Sequence, residues 1–276
     1  MLRCSSRDMV FARTFMILSW NLMSRAANTV SICYNHMEWG EDALSIYFAH
    51  MKNDQTGSRP RDSRHFLLLI YYNGKPANAR VVGVYCATYG VDEADGFHFP
   101  GSNQYDRFRK ILGRVLAIPD IAEELERRGI DPTDFGTHSM QKGAATYCSS
   151  GSTACPSAIA IAIHLRAGWA MGGVTDRYLR HAAAGDMHVG RTVSGLPTEQ
   201  SEFAVLPPRF IGARAVVSEA RSLCFPRLPV CAVGVGEFAL ASLVLHLPFL
   251  RAQIPATHPL LQNILISDQI LIDQLA

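Results

Sequence analysis

Apolar residues at Phe11, Phe15, Leu18, Leu22 and Met23 recur mostly at three- and four-residue steps, which predicts a helix over 9–25. Asn28 and Thr29 break that pattern. The apolar runs at 30–34 (VSICY), 43–49 (ALSIYFA) and 65–72 (HFLLLIYY) read as strands. A polar turn (NHMEWGED, 35–42) separates the first two. A basic, polar stretch at 50–64 separates the last two and fits a hairpin tip. Downstream, helical spacing dominates, weakly over 77–87 and strongly over the amphipathic, basic 103–116. Pro119 opens a helix that stops at Gly129, Thr137 is placed to cap one running to 149, and Pro156 opens one ending near Gly168. Thr175 is placed to cap a short helix carrying Asp176 and Tyr178. The tail from 194 holds several prolines and three apolar blocks. The expected fold is therefore mainly α with a small antiparallel β-sheet, in a domain over 1–199 followed by a helical extension over 200–276.

Composition narrows the class. At 276 residues, 48% hydrophobic and 18% charged, the chain has ample material for a core, and disorder is excluded. Lys and Arg number 26 against 24 Asp and Glu, a net charge of +2, so any nucleic-acid affinity must come from local clustering. The helix bearing Arg107, Arg109, Lys110 and Arg114 is such a cluster, and His50, Arg59, Arg61 and Arg64 are placed to extend it. Seven cysteines, an odd number with no C-x-x-C pair, predict reduced thiols in a cytosolic or nuclear protein. The N-terminus, with Arg3, Arg7, Asp8 and Arg13, lacks the form of a secretory signal. The most apolar stretch, 230–250, contains Glu237, His246, Pro248 and two glycines, and reads as a buried helix, so no membrane association is expected.

Chemistry concentrates in GTHSMQKG at 136–143, GW at 168–169 and TDRYLRH at 175–181, with Arg25 and Lys52 upstream. Each residue also has a plain reading. Tyr178 alone is an ordinary helix tyrosine, Arg25 a cation at a helix C-terminus, Lys52 a solvated loop residue and Trp169 a core anchor. VGVGEFA at 233–239 matches G-x-G-x-x-A, but Ile254 stands where a dinucleotide fold needs an acid. Cys148, Cys155 and His164 match no common zinc spacing.

Taken together, the order Arg25, Lys52, His138, Trp169, Tyr178 resembles the catalytic domain of the tyrosine recombinases, the phage-integrase type. The wording THSMQKGAATYCSSGSTACP, LRAGW, FPGSNQYDRFRKILGR and VGRTVSGLP is similar to the recombinases of Crypton-type transposable elements. The resemblance spans about residues 10–200. It implies an α+β recombinase-like fold, double-stranded DNA as partner, a homo-oligomer on DNA, a nuclear location, and neither metal nor cofactor. It also implies roles. Tyr178 is the nucleophile of a 3′-phosphotyrosyl intermediate, Arg25 clamps the phosphate and Lys52 protonates the leaving 5′-oxygen. His138 assists proton transfer, and Trp169 donates its indole N–H. Arg107, Arg109, Lys110, Arg114 and Lys142 become DNA-phosphate contacts.

Such a reaction builds negative charge on the non-bridging oxygens, which guanidinium groups grip at any working pH. Preorganised donors at that charge are usually the largest catalytic factor. Here the chain departs from the family: the motif is His-x-x-Arg, and three residues after His138 stands Gln141. Glutamine donates a hydrogen bond but no charge. Lys142, one residue on, is expected to point about 100° away on a helix. The N-terminal DNA-clamping domain of the family is expected to be absent, since about ten residues precede the first helix. The reading that competes with an active enzyme is a catalytically dead DNA-binding remnant. A globular fragment with no DNA role is the third.

Overall fold

The computed structural model describes residues 4–40, 43–48, 64–66, 71–72, 75–76, 79–91, 96–150, 156–169, 183–212 and 214–275. Helix α1 (Arg7–Asn21) runs through the main core with Phe11, Phe15 and Leu18 fully buried. Phe15 stacks on Phe108 with ring centroids 4.2 Å apart, and Phe99 meets both Phe11 and Phe15 at 5.3 and 5.4 Å. Phe11, Phe15 and Leu18, at four- and three-residue steps, share one face, as the periodicity predicts.

The C-terminal boundary of α1 differs from the expected one. The helix stops at Asn21, and buried Met23 takes a left-handed backbone (φ 47). Three buried hydroxyls hold the turn that follows: Thr29 Oγ1 lies 2.9 Å from Ser19 Oγ and 2.6 Å from Ser24 Oγ. Arg25 is thereby moved from the end of α1 to the extended position before α2 (Ala26–Val30). Its charge sits at a helix N-terminus, where the macrodipole opposes a cation.

The strand expected over 30–34 is also corrected. Val30 ends α2, Cys33 makes only an isolated bridge to Phe97, and Tyr34–His36 forms a 3-10 turn. The first strand is instead β1 (Met37–Trp39), within the stretch read as a turn. Met37 is buried and Glu38 exposed, an alternation too short to stand out among polar neighbours. β1 pairs antiparallel with β2 (Leu44–Ile46), which pairs antiparallel with β3 (Arg64–Phe66), in register Leu44↔Phe66 and Ile46↔Arg64. A separate hairpin joins β4 (Tyr71–Tyr72) to β5 (Lys75–Pro76). The chain is thus mainly helical with a small antiparallel sheet.

Helices α3 (Ala79–Tyr89), α4 (Gln104–Leu116), α5 (Pro119–Arg127), α6 (Ser139–Ser150) and α7 (Pro156–Ala167) fall close to their expected positions. Then come α8 (Ala183–Val193), α9 (Arg214–Cys224), α10 (Val233–Leu245), α11 (Leu247–Gln253), α12 (Ile264–Ser267) and α13 (Gln269–Leu275). The segment after 200 is helical and shares the main core. α10 packs along α3, and Phe238 stacks on Trp39 at 3.6 Å. Asn263 donates to Ala87 O and Cys224 O, at 3.1 and 3.2 Å, tying α3 to α9. Among the described residues no single helix is long and apolar enough to cross a membrane, and the apolar stretch is bent by 62° between α10 and α11.

A second, smaller core carries the site. Met23 from the end of α1, Ala144 and Cys148 of α6, Ile163 and Ala167 of α7, and Val189 and Val193 of α8 pack together, with Trp20 and Trp169 against them. Gly143 permits the close approach of α6 to α1: a Cβ there would meet Trp20 Cζ3 at 2.9 Å.

Candidate nucleic-acid interface

Helix α6 organises the predicted residues by its periodicity. Gln141 faces inward, 5% exposed, and its Nε2 donates to Ala167 O at 3.0 Å. One residue on, Lys142 is exposed, as is His138 one turn earlier, whose carbonyl accepts the Lys142 backbone N–H at 3.0 Å. The hydroxyl of Thr137, expected to cap this helix, lies instead 3.1 Å from Tyr105 Oη, which links α6 to α4. Ser139 Oγ accepts the Gly136 N–H at 2.9 Å and steadies the entry loop.

Two open grooves flank the exposed stripe of α6. The larger, about 990 Å³, lies between α4, α5 and the loop entering α6, and its lining includes Tyr105, Arg109, His138 and Lys142. Arg109 has one loose, exposed ion pair, to Asp106 at 3.7 Å. The smaller, about 400 Å³, lies between α6 and α7, and its lining includes Lys142, Thr146, Ser149, His164 and Trp169. Lys142 borders both. Among the described residues the side chains of His138 and Lys142 make no hydrogen bond or ion pair.

Trp169 is placed by the end of α7. Gly168 adopts φ 66, its N–H donates to Leu165 O at 3.1 Å, and the Trp169 N–H donates to His164 O at 2.9 Å. This paired pattern is the Schellman ending, which brings the residue after glycine back onto the last turn. The indole accordingly meets His164 edge-on, with centroids 5.3 Å apart. His164 Nδ1 lies 2.8 Å from Ala160 O, a carbonyl that can only accept, so this nitrogen is the donor. In sequence His164 stood out only beside Cys148 and Cys155, in a spacing that matches no common zinc pattern. The G-W pair after a helix is the signal that marks it, because the Schellman contact falls five residues back.

The basic face of α4 is only partly open. Asp8 accepts from Arg107 Nη2 and from Arg114 Nη2, each at 2.8 Å. The hydrogen bonds from Arg114 and then Arg107 hold its carboxyl below the usual range. Arg107 also donates to Tyr89 Oη at 2.9 Å and lies over the Phe11 ring at 4.2 Å. Asp8 of α1 thus engages both Arg107 and Arg114, two of the residues expected to contact phosphate. Arg109 and Lys110 are exposed, and Arg109 alone of the two lines a groove.

The structure thus gathers Arg109, His138, Lys142 and Trp169 around α6, with Gln141 beneath. Arg25 lines neither groove, and its guanidinium makes no hydrogen bond or ion pair among the described residues. Lys52 and Tyr178 lie outside the described residues. No group of three His, Cys, Asp or Glu side chains among the described residues is arranged to hold a metal ion. Compared with models of protein families, with curated proteins and with solved structures, the chain matches none of them.

Proposed function

We propose that this chain binds double-stranded DNA and exchanges its strands by the tyrosine recombinase chemistry that its sequence resembles. The observation that carries the reading is the shared stripe of α6: unpaired His138 and Lys142, with Arg109 opposite, along an open groove, and Trp169 across the adjoining one. Cations with free donors along an open surface are what a phosphate backbone requires. In the proposed step the Tyr178 oxygen attacks phosphorus and its proton passes to His138 or water. A 3′-phosphotyrosyl bond forms, the P–O5′ bond breaks, and Lys52 protonates the departing 5′-oxygen. Arg25 neutralises a non-bridging oxygen, and the protein acts as a homo-oligomer on DNA in the nucleus.

A second reading has its own support. Gln141 stands where the family pattern has arginine, and its amide is spent on Ala167 O. A chain lacking that charge fits a DNA-binding remnant that no longer turns over. A nicked duplex that traps the covalent adduct separates the two. Adduct formed by the wild type and lost in Tyr178→Phe supports the enzyme. Salt-sensitive duplex binding with no adduct supports the remnant, and absence of salt-sensitive binding overturns both.

A further inference from the structure

We propose that Lys142, rather than the residue three after His138, supplies the cationic contact to the DNA phosphate, at the junction of the two grooves. The inference rests on the DNA-binding reading above and assigns one residue within it.

Gln141 and Lys142 are neighbours in sequence but differ in burial, the first buried and the second exposed. A helix turns about 100° per residue, so positions 141 and 142 cannot serve the same surface. Gln141 serves the interior, where its amide satisfies the carbonyl of Ala167 near the end of α7. That carbonyl is one of the groups a helix end leaves open, so the contact has a structural use of its own. The rotation that buries Gln141 presents Lys142 to solvent, on one stripe with His138, Thr146 and Ser149.

Charge and reach complete the case. Among the described residues, Asp134 is the one carboxylate lining the larger groove, against Arg109 and Lys142, and none lines the smaller one. An ammonium on a flexible four-carbon stem, with three rotatable donors, can follow a phosphate without a rigid two-point geometry. Standing on the border of both grooves, it serves a backbone that passes from the Arg109 and His138 side toward Trp169.

Duplex affinity measured over a series of salt concentrations tests the assignment on the full chain. Lys142→Ala is expected to lower the slope of log affinity against log salt by about 0.9, one phosphate contact. Lys142→Arg keeps the slope. Arg209→Ala, an exposed cation elsewhere on the molecule, leaves it unchanged. Lys142 is exposed and unpartnered, so the variants retain the wild-type melting temperature. Wild-type binding with an undiminished slope in Lys142→Ala overturns this assignment and leaves the DNA reading standing. So does an equal loss in Lys142→Arg. A wild type with no salt-dependent binding removes both.

Discussion

The Arg166 guanidinium and the Asp186 carboxylate meet at 2.6 Å with both side chains withdrawn from solvent. Arg166 also donates through Nε and Nη2 to Asn21 O, at 3.1 and 2.8 Å, and through Nη1 to Asp186 O at 3.1 Å. One side chain therefore ties the end of α7 to the end of α1 and the start of α8. These ends frame the second core and set where Trp169 emerges. A buried ion pair adds little over a well-packed apolar pair, but removing one partner strands the other charge. Arg166→Met should lower unfolding free energy by about 3–5 kcal/mol, read from denaturant midpoints. A loss under about 1 kcal/mol would mean the pair is not held as described.

Under the proposed DNA-binding reading, Asp8 is a lever on duplex affinity. It engages Arg107 and Arg114, which otherwise extend the basic face of α4. These pairs are substantially exposed, so each contributes only about 0.2–1 kcal/mol to stability. Asp8→Asn should therefore cost little stability while tightening duplex binding and steepening its salt dependence. The carboxyl is held low in the folded state, so its stabilisation is present above the ordinary value of 3.8 and fades as pH falls through the lowered one. Binding curves for wild type and Asp8→Asn that coincide at low salt would show that Arg107 and Arg114 do not reach DNA.

Acid sensitivity should come from His98. It is fully buried against Tyr34, Tyr85 and Phe99, and among the described residues neither ring nitrogen has a hydrogen-bond partner. Burial pushes its pKa down to about 3, from 6.5. Between those values the unfolded chain binds one more proton than the folded one, so stability falls as pH drops below 6.5. The slope is about 1.4 kcal/mol per pH unit, or about 2 kcal/mol lost at pH 5. His258, lowered by burial and then by the charge of Arg13, acts in the same direction. His98→Phe should remove most of the difference between midpoints measured at pH 7 and pH 5. An unchanged difference would place the acid sensitivity elsewhere.

The residues that were legible in sequence are those whose structure is set locally. Pro119 opens α5, Gly168 turns the end of α7, and the amphipathic run of α4 ends within a residue of its expected limits. The errors arise where distant chain decides. β1 exists because Met37 is buried and Trp39 stacks on Phe238, nearly two hundred positions away. Arg25 left α1 because a left-handed Met23 and three buried hydroxyls end the helix, features no periodicity carries. Of the residues singled out in sequence, His138, Lys142 and Trp169 line grooves about α6. The direction of Gln141 was not legible, because it depends on a carbonyl 26 residues on. That Asp8 engages Arg107 and Arg114 was equally hidden, being a contact between helices about a hundred residues apart.

That inward direction yields the sharpest contrast. Gln141→Leu keeps the bulk and helix propensity of position 141 but removes the donor to Ala167 O, leaving a buried carbonyl without its partner. A buried group left unsatisfied costs about 1–3 kcal/mol, so the variant should unfold earlier by that amount. The contact also steadies the end of α7, from which Trp169 projects, so the tryptophan emission of the folded variant should shift. Because Gln141 points away from both grooves, the salt slope of duplex binding should stay at the wild-type value. Lys142→Ala should show the reverse, with full stability and a reduced slope. Should Gln141→Leu lower the slope while leaving stability intact, the amide would be a ligand of DNA, and the inward orientation of position 141 would be wrong for the bound protein.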